Sequence, residues 1–168
     1  MHALHHPLFI KFMAYFNGNQ DYFECHEVLE DYWNEVAPRD KSHPLVGYIL
    51  TAVGLYHWRR GNFAGAGKSV KKARRNLAGA LAGNSPFFDG IDADRLLRSL
   101  DEAACRIEAG RPFVPFEIAV TDPLLEKSVE LAARGLEGKD SPSLIHKHML
   151  RGRPGMSAGP KKGRDSRH

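Results

Sequence analysis

Phe16 to Trp33 reads FNGNQDYFECHEVLEDYW. Wound as a helix at roughly 100° per residue, Tyr22 to Val36 collects Tyr22, Cys25, Leu29, Tyr32, Trp33 and Val36 on one broad apolar face. His26 falls inside that face and Glu30 follows one turn later at its border. Glu27 lies about 60° further round, while Glu24 and Asp31 point toward solvent. Asp21 is a good N-cap and Glu24, three residues on, can complete a capping box, so the helix is expected to start after Asp21, reach about Val36 and stop before Pro38. Polar groups on an apolar face need partners, so His26 and Glu30 mark either a site or a structural hydrogen-bond hub.

Outward from this helix the pattern stays helical, and no run of alternating β-branched residues suggests a strand. Upstream, Pro7 opens a helix to about Phe16, with Phe9, Met13 and Phe16 on one side and Asn17 and Gly18 as its stop. Downstream, a third helix follows Pro44, and Leu45 to Trp58 is apolar almost all round, the mark of a buried central element. Gly61 closes it and Asn62 caps a fourth, Phe63 to Ala82. That helix carries Phe63, Gly67, Val70, Leu77 and Leu81 on one stripe and Lys68, Lys71, Lys72 and Arg75 on another. Asp92 caps a fifth helix to about Ala109, the prolines of RPFVPFEI impose an extended segment, and Asp122 with Pro123 opens a last helix to about Leu136. The expected fold class is all-α, a compact bundle of antiparallel helical hairpins with five to six helices. A glycine, an asparagine and an aromatic-led helix occur at Gly18 to Phe23 and again at Gly61 to Phe63, a weak internal echo of such hairpins.

The 168 residues, 42% apolar and 26% charged, suit one domain with a real core. Residues 1–138 are expected to form the bundle. Residues 139–168 carry eight Lys or Arg against Asp140 and Asp165 and are rich in Gly, Pro and Ser, so they are expected to be a basic, disordered tail. The overall charge of +4 therefore belongs to the tail, and the bundle is mildly acidic. No apolar run approaches the ~20 residues of a membrane span and no leader pattern opens the chain, so no membrane contact and a cytoplasmic location are expected. Cys25 and Cys105 are too far apart and too few for a disulfide framework or a cysteine metal site.

The chemistry concentrates in H-E-x-x-E, His26 to Glu30. His26 and Glu30 are i, i+4 neighbours and can bond each other or grip one ion. Three readings stand side by side. In the first, His26, Glu27 and Glu30 are catalytic, acid and base in a pocket of hydrolase type. In the second, a divalent metal is the cofactor, with His26, Glu30 and His57 as ligands, Glu27 in the position of a zincin's general base, and Glu35 and His43 as less well placed third ligands. In the third, His26 and Glu30 form a satisfied polar network in a helical core with Tyr48, Tyr56 or His57. A different class of function, a non-catalytic scaffold, would use Lys68, Lys71, Lys72, Arg75 and the tail for weak contact with a polyanion or an anionic protein partner. No phosphate-cradling loop, GxSxG or CxxC is present.

These residues resemble the domain of unknown function 309 family, whose signature looks like F-N-x-G-x-Y-F-E-x-H-E-x-L-E-x-x-W. The match is carried by Phe16, Asn17, Gly18, Tyr22, Phe23, Glu24, His26, Glu27, Leu29, Glu30 and Trp33, with one extra residue between Gly18 and Tyr22. A second similar segment is TAVGLYHWRRGNFAGAGKSVKKARRNL, Thr51 to Leu77, and the resemblance extends over roughly Leu8 to Gly83. It implies a compact helical bundle, often a homodimer, without an assigned activity, and it carries over no catalytic residue.

Overall fold

The computed structural model describes residues 2–136. Among them are six α-helices: α1 Pro7–Met13, α2 Tyr22–Val36, α3 Pro44–Arg59, α4 Phe63–Ala82, α5 Ala93–Glu108 and α6 Pro123–Ala133. The fold is all-α, and the extended pairing among the described residues is a single bridge between Ile91 and Val120. The expected tail lies outside the described residues.

Capping chemistry sets most boundaries. The Asp21 side chain accepts from the Glu24 N–H, Asn62 from Gly65, Asp92 from Arg95 and Asp122 from Leu124, each satisfying a donor that the first helical turn leaves open. Pro7, Pro44 and Pro123 stand in first turns, where no amide donor is missed. Asp21 is only 2% exposed, so water cannot replace its carboxylate at the Glu24 amide. Asp21→Ala is expected to lower stability by about 1 kcal/mol, read as a shift in urea midpoint at unchanged slope. An unchanged midpoint would remove the cap from the stabilising contacts.

The first helix does not stop at Asn17 and Gly18. It widens into a π-helical segment, Ala14–Asn19, and ends at Gln20, which turns left-handed at φ 58°. Two contacts explain the longer path. Asn17 exchanges two hydrogen bonds with the backbone of Ile118, at 2.9 Å each, and Gly18 leaves room for Leu136 and Ala133 beside it. The residues that look like a stop signal therefore dock the segments that flank α6. Glu24 also departs from expectation: it is half-buried, not turned to solvent.

Each of α1 to α4 packs against the next helix in chain order, and α6 returns against α1 and the π-helical segment. Buried on nearly every side, α3 has twelve of its sixteen residues in the core, which explains its lack of a polar face. Gly47 lies against Asn76 and Leu77, and Gly54 against Val70 and Ser69, so these glycines set how closely α3 and α4 approach. An aromatic cluster of Phe9, Phe12, Phe16, Tyr22 and Tyr48 fills the space between α1, α2 and α3. The extended segment after α5 seals one end of it. Phe113 packs on Tyr22 and Trp58, Phe116 on Phe16, and Trp58 Nε1 donates to Arg111 O at 2.9 Å. The N-terminal residues are tied at the other end, with His6 stacked on Tyr32, Tyr32 donating to Ala3 O, and His6 Nε2 lying 2.7 Å from Glu35.

Candidate functional site

α2 brings His26 and Glu30 into the core, as its apolar face requires, and the structure resolves what each touches. His26 Nδ1 lies 3.2 Å from Glu27 Oε2, and His26 Nε2 lies 3.1 Å from Glu30 Oε2. The imidazole and the Glu30 side chain are 7% and 1% exposed, with Glu27 at 12%. Burial alone would push the ring toward its neutral form. The bonds to Glu27 and Glu30 and the charges of the two carboxylates outweigh it, and His26 is pushed up from 6.5 to about 9. The shift favours the imidazolium, which lies between the carboxylates of Glu27 and Glu30 as one ionic unit. Glu27, expected at the edge of the face, is thus half of a clamp.

This charge state bears on the expected chemistry. To bind a metal or act as a base, His26 must first give up the proton that Glu27 and Glu30 favour. Glu27, in the position a zincin would give its general base, is engaged with His26 instead. Among the described residues, no group of three or more His, Cys, Asp or Glu could hold a metal ion. His57, the third member of the expected ligand set, is half-buried near the C-terminal end of α3, where its Nδ1 lies 3.3 Å from Asn62 Nδ2. Of the other expected third ligands, Glu35 pairs with His6, and His43 caps α3 by accepting from the Leu45 N–H. Tyr48, named with the polar-network reading, donates instead to Phe87 O at 2.7 Å.

Beyond Glu30 lies a cleft of about 650 Å³ that α2, α3 and α4 share. Glu30 and Trp33 contribute from α2, Lys41 and Ser42 from the following loop, Val46, Ile49 and Leu50 from α3, and Lys72, Arg75, Asn76, Gly79 and Ala80 from α4. The loop is held from both sides. Trp33 Nε1 donates to Asp40 O at 3.0 Å, and Asn76 Nδ2 donates to His43 O at 3.1 Å. Lys41 lies over the Trp33 ring at 5.9 Å. The cleft thus has fixed walls before anything enters it, an apolar lining, a buried carboxylate and a cationic rim.

The basic stripe of α4 divides along the same line. Lys71 pairs with Glu108, and Arg74, beside the stripe, makes two bonds to Asp101 of α5. Lys72 and Arg75 turn to the cleft instead. Lys41, Trp33 and Asn76 were not expected as site residues. The clue within the sequence is that Lys72, Arg75, Asn76, Gly79 and Ala80 recur at spacings of three and four, one side of a helix.

The family model described as Domain of unknown function (DUF309) matches residues 9–68. The chain is 34% identical over 152 residues to "Uncharacterized protein YpuF" of Bacillus subtilis (strain 168), a match spanning 86% of this chain and 86% of that protein. No solved structure matches. The family match takes in Glu27, His26 and Glu30 with the α2 and α3 walls of the cleft, while Lys72 and Arg75 lie beyond it.

Proposed function

The chain belongs to the DUF309 family, whose description assigns no activity, and from that premise we propose that it is a small-ligand-binding helical protein whose site is the cleft walled by Glu30. The observation that carries this reading is the position of Glu30: 1% exposed, 3.1 Å from the buried His26 ring, yet lining a cleft of metabolite size. Pockets that take small molecules commonly measure about 300 to 1,000 Å³, with apolar walls and a few fixed polar groups, and this cleft fits that description. A buried ion pair is a weak source of stability, since its desolvation offsets most of its attraction. Glu27, His26 and Glu30 therefore fit better as a device that fixes a charge at the cleft wall than as a fold-stabilising contact. In this reading His26 is a positioning residue that orients Glu30, and any proton transfer to a ligand falls to Glu30.

Filling the cleft tests the proposal. Ala80→Trp, with Gly79→Phe as a second way to occupy the space, is compared with the unaltered chain in a thermal-shift screen of central metabolites and by native mass spectrometry of the purified protein. At least one compound should raise the melting temperature of the unaltered chain and lose that effect in both filled variants, each with unchanged far-UV circular dichroism. Compounds that stabilise all three proteins alike would place binding elsewhere and overturn the reading.

A further inference from the structure

We propose that the cleft takes an anionic ligand with an apolar body, its acidic group held at the rim by Lys41, Lys72 and Arg75 and its body lying on Trp33 and Ile49. This rests on the cleft being a ligand site. The pattern of cation pairing on α4 carries it. On one helix, Lys71 and Arg74 face α5 and are each neutralised, by Glu108 and Asp101. Their chain neighbours Lys72 and Arg75 face the cleft and make no ion pair with the described residues. Lys41 reaches the same rim from the α2–α3 loop, where its contact is the Trp33 ring and not a carboxylate. Three positive charges from two elements thus converge on one opening with no acidic partner among the described residues at the rim.

The depth of the cleft differs from its rim. Glu30 brings a buried carboxyl group to the inner wall, where an acidic group finds no cation of the rim, so such a group is drawn to Lys41, Lys72 and Arg75 instead. Charge therefore sets the direction of the ligand: head outward, apolar body inward. Arg75 can meet a carboxylate or phosphate with two parallel bonds, while the lysines act as point charges. Carboxylate and phosphate monoester heads share this chemistry, and the test separates them.

The probe is 1-anilinonaphthalene-8-sulfonate, an aromatic body with one fixed negative charge, titrated against the full chain by calorimetry and fluorescence. Octanoate, phenyl phosphate and octylammonium serve as competitors. One probe per chain should bind, at least one of the two anionic competitors should displace it, and octylammonium should not. Affinity should fall about tenfold or more in Lys72→Glu/Arg75→Glu, the loss of at least one charge-assisted bond, and weaken as salt rises. Lys127→Glu, exposed on α6, which contributes nothing to the cleft lining, should leave it unchanged. Which anion competes better identifies the head. Displacement by octylammonium alone, or binding that survives Lys72→Glu/Arg75→Glu but not Ala80→Trp, would overturn the anionic class while leaving the cleft as a site. Binding indifferent to both variants would overturn the class and the cleft together.

Discussion

His26→Leu is expected to destabilise the protein by about 3 to 5 kcal/mol, because it removes the ring that lies against the buried Glu27 and Glu30 carboxylates. Glu30, at 1% exposure, cannot recover its hydration in place. His26→Leu/Glu30→Leu should regain much of that loss, since an apolar pair of similar size replaces the buried charges at little net cost. If the single and double variants are equally damaged, the harm comes from lost packing and not from an uncompensated charge. The same unit predicts a pH profile. The folded protein holds the His26 proton to about pH 9, the unfolded chain only to 6.5. Below the lower value the ring is charged in both states and its ion pairs contribute in full. As pH rises through 9 the folded ring loses its proton and the contribution goes. A rise from 6.5 to about 9 is worth about 3 kcal/mol at this buried site, so stability should decline by that order between those values. Urea denaturation across the range, with the doubly substituted protein as baseline, reads the difference directly. A flat difference would mean that His26 is neutral in the folded protein.

Gly47→Ala is the second large effect, and two forces compete in it. Alanine is favoured over glycine inside a helix by about 1 kcal/mol. The added Cβ, however, would run into Asn76 Oδ1 and stand 2.6 and 2.7 Å from Leu77 Cγ and Cδ2. Neither neighbour yields cheaply: Leu77 is fully buried, and Asn76 holds the α2–α3 loop through His43 O. Overpacking of this kind costs about 1 to 3 kcal/mol, sometimes more, so steric conflict wins and a net loss near 2 kcal/mol is expected. Gly54→Ala meets Val70 Cγ2 at 2.6 Å, two helical turns away, and the two losses should nearly add. Gly79→Ala is the control, because nothing stands within 4 Å of its added Cβ, and it should stabilise by about 0.5 to 1 kcal/mol. If all three substitutions raise the melting temperature, α3 and α4 do not approach as closely as the structure has them.

Much of the fold was legible in the chain because its signals are local. Asp21, Asn62, Asp92 and Asp122 act on amides two or three residues away, and Pro44 and Pro123 constrain their own φ. The bounds of α2 and α4 followed from the caps and the apolar stripe. The bare reading of Asn17 and Gly18 as a terminator failed because their roles depend on Ile118, Ala133 and Leu136, about a hundred residues away. The same division runs through the site. His26 and Glu30 stood out because helical geometry alone places them one turn apart on a buried face. Periodicity puts Glu27 only at the edge of that face, since the ring orientation that clamps it is set by packing.

By itself the sequence determined an all-α chain, most of its helix bounds and the burial of a histidine and a glutamate on the apolar face of α2. Only the tertiary structure decided that these groups form one ionic unit beside a cleft, which cations of α4 are neutralised and which face the opening, and that Lys41 joins them from a loop. The reason is range. Caps and helical periodicity act over four residues or fewer, whereas the cleft is the gap left between three helices whose spacing Gly47, Gly54 and the Asn76 bond to His43 fix from different parts of the chain.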